Sequence, residues 1–486
     1  MPWNQPSLAD QQSYSPQSIF EAGLRHHHIA NTAYPINHNW TMKPYRVRRP
    51  DFEAVTTAAW TDVDEMGLYA HIPFCQARCN FCEYVVINPA ENSHVEDGYF
   101  NLLLREMEQY SNLLNTRKKI LTGFDIGGGT PALAKVENIA RVVEAAKSHF
   151  QFQAGMQISI ETTPLIAAAE PDKIRAFRQM GIERISMGVQ VTQLSLAKKL
   201  GRLYKGYAGL REAVSNIRAA GFEKFNIDLM YGFAGQSVAD WRDSVEKGLE
   251  LEADYITLYR MRYKGTGLQA QANQVSKEVV AEMAAAANHM LHQAGYVAPP
   301  GKNTYSRLPG DLGVSDYLTN RVVKGTPYLG LGLGAQSLSH HTLAYNRGAG
   351  PKDIAPYQKE ILAGRLPIQD LYDMALPVSM AKFISVSFYF GEINRRYFEQ
   401  KFGLTLESAF PAEVEFVRTQ GLMEYRGDCL SLTLAGAKVY NGVIALFYAP
   451  AVKLHLLQRP VALDEQLSAQ EQRDLRRSFE INLVTR

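Results

Sequence analysis

Three cysteines crowd one short stretch, Cys75-x-x-x-Cys79-x-x-Cys82, within Leu68-Tyr-Ala-His-Ile-Pro-Phe-Cys-Gln-Ala-Arg-Cys-Asn-Phe-Cys82. Three thiolates on one loop can hold three irons of a [4Fe–4S] cluster and leave the fourth iron open to a chelating small molecule. The competing chemistry is a zinc site, with His71 joining the three sulfurs as fourth ligand. Zinc makes no use of Gly127-Gly-Gly-Thr-Pro131 or of the polar residues that end the later strands, whereas the cluster reading uses all of them.

Those polar residues are Glu161 after Ile-Ser-Ile160, Gln190 after Ile-Ser-Met-Gly-Val189, and Asp228 in Phe-Asn-Ile-Asp-Leu-Met-Tyr231. Glycines without Cβ atoms let backbone amides and carbonyls approach a ligand closely. Glu161 can accept hydrogen bonds from a ribose or amino group, and Arg202 can pair with a carboxylate. Pro131 ends a strand and opens the next helix. Each signal alone is a turn or a cap; five on successive strand ends form a site.

The elements that position them alternate in period. Short β-rich runs at about 66–71, 121–126, 157–161, 184–189, 225–231 and 254–260 are separated by helical stretches such as Val95–Asn115, Val136–Phe150 and Leu210–Ala220. Repeated strand-helix-strand units imply a parallel sheet, and six predict an α/β fold with a partial (β/α)6 TIM-like barrel. Chemistry in such barrels gathers at the C-terminal ends of the strands.

Composition sets the class. A chain of 486 residues, 46% of them hydrophobic, buries a large core in two or three domains. A net charge of +2 favours neither a nucleic-acid partner nor an acidic tail. Of four cysteines three are clustered, so a disulfide framework is not expected and a reducing, cytoplasmic setting is. The N-terminus lacks the basic flank and apolar stretch of a signal peptide. The longest apolar run, Val443 to Val452, is too short to span a bilayer and contains Pro450. It reads as a buried helix end, with an apolar-substrate surface or peripheral membrane contact as the rival.

From Tyr69-Ala-His-Ile-Pro-Phe-Cys through Gly-Gly-Gly-Thr-Pro131, Ile-Ser-Ile-Glu161, Arg184-Ile-Ser-Met-Gly-Val-Gln190 and Asn226-Ile-Asp-Leu-Met-Tyr-Gly232, the chain resembles the oxygen-independent coproporphyrinogen III oxidase (HemN-like) family of radical S-adenosylmethionine (SAM) proteins. Pro327-Tyr-Leu-Gly-Leu-Gly-Leu-Gly-Ala335, Gly421-Leu-Met and Leu432-Thr-Leu-Ala-Gly436 extend the likeness, which covers roughly residues 30 to 450. The resemblance implies a [4Fe–4S] cluster on Cys75, Cys79 and Cys82, two SAM molecules, and an electron donor such as flavodoxin or ferredoxin. Tyr69, Phe81, Gly128 and Glu161 match positions around the SAM on the cluster, with Tyr69 and Glu161 nearest the chemistry. Gly129, Thr130, Gln190, Arg202 and Asp228 match positions around the second SAM. The implied reaction begins with a 5′-deoxyadenosyl radical that abstracts a hydrogen atom.

One departure bears on the reaction. The family's oxidases carry a further cysteine two positions after the third cluster ligand, where this chain has Glu83-Tyr84. The expectation is therefore a sister activity, class C methyl transfer to an sp² carbon of a planar ring: a quinone such as menaquinone, a heteroaromatic or a tetrapyrrole. The alternatives are coproporphyrinogen III oxidation itself, which Asn31-Thr-Ala-Tyr-Pro35 favours by likeness to the oxidases' N-terminal arm, and a heme-binding chaperone of the same family.

The expected domains are an N-terminal arm (1–65) over the barrel mouth, a radical SAM core (66–270), a core extension on the substrate side (271–375), a C-terminal helical domain (376–455) and a charged tail (456–486). Loops at Pro299-Pro-Gly301 and Arg347-Gly-Ala-Gly350 are candidate lids. His26-His-His28 reads as solvated rather than metal-binding, and His340-His341 as a surface turn or a proton relay. Tyr255, Tyr259 and Tyr263 are assigned to the core, and Cys429 to a buried or incidental thiol.

Overall fold

The computed structural model describes residues 3–25, 31, 33–89, 95–202, 205–348 and 353–459. The histidines at 26–28 and the tail beyond 459 lie outside them.

Six parallel strands make the centre of a twelve-stranded open sheet: β1 (Glu65–Ile72), β2 (Ile120–Gly128), β4 (Ile158–Thr162), β5 (Ile182–Gln190), β6 (Lys224–Tyr231) and β7 (Tyr255–Arg260). A two-residue strand β3 (Gln151–Phe152) pairs with the start of β2. The strands fall where the β-rich runs predict. Their near-continuous burial is what a parallel sheet covered on both faces requires. The crossover helices show the complementary period. Helix Val95–Leu114 buries Tyr99, Leu103, Met107, Tyr110 and Leu114, and Val136–His149 buries Ile139, Val142, Val143 and Ala146. Burying one such side chain contributes roughly 1.5–3 kcal/mol, so these stripes hold the helices on the sheet.

The sheet continues on both sides with strands the sequence reading did not single out. Beyond β7, β8 (Thr304–Ser306) is antiparallel. Beyond β1, β9 (Tyr328–Leu331) runs parallel to it, followed by antiparallel β10 (Gln336–Leu338), β11 (Thr342–Asn346) and β12 (Ile368–Asp373). The glycine-rich Leu329–Ala335 segment is thus a buried strand and its tight exit.

A second core belongs to the C-terminal region. It joins helices Leu376–Ser387, Tyr440–Leu446 and Pro450–Leu457 to a three-stranded sheet, β13 (Glu392–Asn394), β15 (Cys429–Leu432) and β14 (Met423–Arg426). The apolar 443–452 run is buried here, in two helices divided before Pro450. Ile19, Ala22, Tyr34, Met42 and Tyr45 pack into this same core. Among the described residues of this N-terminal segment, Leu24, Asn31 and Ala33 line the large cavity. Helix Pro16–Arg25 lies so close to Tyr440–Leu446 that a Cβ on Gly23 would stand 2.6 Å from that of Ala445.

Candidate active site

The C-terminal ends of the parallel strands open into a cavity of about 2260 Å³, also lined by Pro299–Asn303, Tyr389, Leu434 and residues 437–441. Tyr69, Cys75, Cys79, Phe81, Cys82, Gly128, Gly129, Thr130, Glu161, Gln190, Arg202 and Asp228 all line it. Parallel pairing brings them together. Tyr69 stands in register with Asp125, Gly188 with Asp228, and Glu161 with Ser186, so residues far apart in sequence face one space.

The Cys loop is fastened to the end of β2. Gly129 N donates to Ile72 O (2.8 Å), Thr130 N donates to Phe74 O (2.7 Å), and the Thr130 hydroxyl lies 3.3 Å from Cys75 Sγ. A Cβ on Gly129 would meet Phe74 O at 2.7 Å, so this approach requires glycine. Gly128 has a φ of +118° and donates its N–H to Glu161 Oε2 at 3.2 Å. Arg202 donates to Gly188 O, and its Nη1 lies 3.7 Å from Cys79 Sγ. Asn226 Nδ2 (2.8 Å) and Ser186 Oγ (3.4 Å) donate to Asp228, Phe81 packs edge-on to Phe233, and the buried Oε1 of Gln190 has no partner among the described residues.

The site is rich in carboxylates that do not ionise easily. Burial pushes Glu161 up to about 7, helped by the charges of Asp228 and Asp125 and opposed by the Gly128 N–H. Burial likewise raises Asp228 and Asp125 to about 6. A cationic ligand would relieve this crowding. Cys75 is pushed up to about 12 by burial, with the neighbouring Cys82 and Cys79 adding to it. Thiols in this state lose their protons when a metal binds.

The donor set suits a cluster. The three thiols are free, share one wall and lie within electrostatic reach of each other. Among the described residues no three His, Cys, Asp or Glu side chains are grouped as a ready-made metal site. His71, the fourth ligand of the zinc alternative, is buried, shares a hydrogen bond of 3.2 Å between its Nδ1 and Tyr69 OH, and does not line the cavity. Burial lowers its pKa to about 4.

Other predicted residues fall elsewhere. His341 pairs with Asp373 (2.8 Å) and His340 with Lys401 (3.2 Å), away from the cavity wall. Cys429 is half-buried on β15. Pro299, Pro300 and Gly301 line the cavity, whereas Arg347 is engaged with Glu360 at 3.4 Å, Gly348 is packed against Leu333, and 349–350 lie outside the described residues. Tyr255 is buried, but Tyr259 and Tyr263 line the cavity, contrary to a core role.

Sequence reasoning missed a polar group in the same cavity wall, made of Asp125, Tyr317, Arg321, Tyr328 and Gln336. Asp125 takes the Ser315 hydroxyl at 2.7 Å, and its buried Oδ1 has no partner among the described residues. Arg321 lies over the Tyr328 ring at 4.1 Å and donates to its hydroxyl at 3.0 Å. Period-two alternation from Gly127 would have pointed Asp125 inward. Nothing local marks Arg321.

Residues 69–248 match the Radical SAM superfamily. The fold is similar to that of coproporphyrinogen III oxidase (HemN) from Escherichia coli, with a TM-score of 0.68 at 22% identity over 81% of this chain and 93% of that one. The heme chaperone HemW of Buchnera aphidicola is 25% identical over 390 residues, 79% of this chain and 98% of its own length. Residues 69–248 thus carry a radical SAM domain, and the chain as a whole is similar to HemW and HemN proteins. HemW of Haemophilus influenzae is 30% identical over 201 residues, so the chain spans about half (51%) of that relative. These likenesses correct the methyl-transfer expectation. Curated relatives matched over most of their own length are named heme chaperones, which turns the reading from methyl transfer to the heme-related alternatives. Among the described residues no helix is long and apolar enough to cross a membrane.

Proposed function

We propose that the chain is a radical SAM enzyme acting on a tetrapyrrole of heme metabolism, in the manner of an oxygen-independent coproporphyrinogen oxidase. The observation that carries this is the single cavity of about 2260 Å³ joining the Cys loop to the C-terminal region. It has room for a macrocycle beside SAM, and it belongs to a chain whose relatives are named for heme and coproporphyrinogen.

Cys75, Cys79 and Cys82 would hold a [4Fe–4S] cluster. Together with SAM it supplies one-electron cleavage and an organic radical when bound. The chain's own residues bind and aim. Tyr69, Phe81, Gly128 and Glu161 take the SAM at the cluster, the glycine through its backbone and Glu161 through its carboxylate. Gly129, Thr130, Gln190, Arg202 and Asp228 take a second SAM, with Arg202 suited to its carboxylate and Asp228 to its ammonium. Tyr389 and residues 437–441 of the C-terminal region line the same cavity and would limit water around the reacting carbon.

A second reading, heme carriage, is supported by the HemW relatives and by Tyr84 in the cavity wall where the oxidases have cysteine. Anaerobic, reconstituted protein given reductant, SAM and either coproporphyrinogen III or hemin separates the two. Carbon dioxide with 5′-deoxyadenosine supports the oxidase, and tight hemin binding without turnover supports carriage. Indifference to both rings contradicts the proposal.

A further inference from the structure

Charge within the cavity is sorted by place. Asp125, Glu161 and Asp228 stand on β2, β4 and β6, where they suit cationic SAM. Where β7 runs out, the chain reads Arg260-Met-Arg262-Tyr-Lys264, and all three cations line the same cavity. Met261 fixes this stretch. Its side chain is buried with Val191, Ala197, Leu200 and Phe233, and its N–H donates to Tyr231 O at 2.7 Å. Tyr263 adds a second anchor, its hydroxyl accepting from Ala234 N at 2.6 Å and donating to Gly232 O at 3.0 Å.

The C-terminal region brings further cations to this end. His455 feels both Arg459 and Lys264, which places the last described helix beside the β7 exit, and Lys438 lines the cavity next to the 71% exposed Leu434. Arg262 Nε lies 4.0 Å from the Glu83 carboxylate. Among the described residues neither Arg260 nor Lys438 has a carboxylate partner. Tyr259, 39% exposed, precedes Arg260 on the strand and lies within electrostatic reach of Asp228, so an aromatic face separates the acidic zone from the basic one.

We infer that the β7 exit, with Lys438 and Arg459, is an anion subsite for the carboxylate arms of the tetrapyrrole, whose ring lies against Tyr259. The inference rests on the tetrapyrrole reading and assigns it residues. Carboxylate arms of this kind are carried both by coproporphyrins, with four, and by heme, with two. Guanidinium groups clamp carboxylates by paired hydrogen bonds, and enclosure strengthens the attraction.

The test is an absorbance titration of the full chain with coproporphyrin III and, separately, hemin. Wild type, R260Q/R262Q, the charge-keeping R260K/R262K and the distant control K359Q are compared. The expected result is binding of at least one ring, weakened tenfold or more in R260Q/R262Q, largely kept in R260K/R262K and unchanged in K359Q; the ring bound more tightly identifies the source. A ring bound equally by wild type and R260Q/R262Q overturns the subsite and leaves the tetrapyrrole reading intact. Binding of neither ring by wild type overturns both.

Discussion

Gly128 N–H donates to Glu161 Oε2 across 3.2 Å, tying the end of β2 to the end of β4 at the point where the cysteine loop meets the cavity. That single donor does not offset burial and the nearby Asp228, and the carboxyl is held up to about 7. A carboxyl raised from 4.5 binds its proton more firmly folded than unfolded, so the apo protein loses stability as pH rises from about 4.5 through 7. A cationic ligand prefers the ionised form. SAM affinity is expected to rise between pH 5.5 and 7.5, by up to about tenfold per unit on the acid side. Isothermal titration over this range checks it, and Glu161→Gln should bind more weakly with a flatter profile.

Gly129→Ala tests the seat of the cysteine loop. The new methyl would stand 2.7 Å from Phe74 O and 2.8 Å from Pro73 C, both backbone atoms. Overpacking of this kind costs roughly 1–3 kcal/mol. The loop should shift while the sheet persists, so iron retained after reconstitution should fall far more than the urea midpoint.

Asp228 separates the two proposed SAM positions. Asp228→Asn keeps the acceptor for Asn226 at 2.8 Å but removes the charge. Equilibrium dialysis should find SAM binding reduced toward one molecule per chain, with the tighter site preserved. Loss of all binding would place Asp228 in the service of the first SAM or of the fold.

Glu106 supports the frame. It accepts from Gly332 N (2.7 Å), Asn346 Nδ2 (2.6 Å) and Tyr357 OH (2.5 Å), joining helix Val95–Leu114 to the exits of β9 and β11 and to helix Ala355–Leu362. Glu106→Ala leaves Gly332 N and Tyr357 OH without an acceptor, each costing about 1–3 kcal/mol, while Asn346 Nδ2 keeps Gly332 O at 3.0 Å. A loss of about 3 kcal/mol or more in urea unfolding is expected, with cysteine-loop chemistry retained in the folded fraction.

The parallel strands and the twelve lining residues were legible because both depend on local signals. Apolar runs of strand length set β1, β2, β4, β5, β6 and β7, and Cys75–Cys82 and Gly127–Pro131 are contiguous motifs. The additional strands were not, because their pairing is long-range. Tyr328 to Leu331 reads as a glycine-rich loop until β1 supplies its partner. Arg321, Tyr328 and Gln336 reach the site only through that pairing. The place of Tyr34 was equally hidden: its hydroxyl accepts from Ala449 N, more than four hundred residues away. The reaction was misread because Tyr84 marks one missing thiol and not the substrate.

The most direct measurement is anaerobic 5′-deoxyadenosine formation by reconstituted protein with reductant and SAM, with and without coproporphyrinogen III or hemin, in wild type and in Cys75→Ser, Cys79→Ser and Cys82→Ser. The account predicts about four irons per chain, cleavage of SAM stimulated by a tetrapyrrole, and loss of that cleavage in each cysteine variant. A colourless protein holding one zinc, or SAM cleavage that ignores both rings, would contradict it.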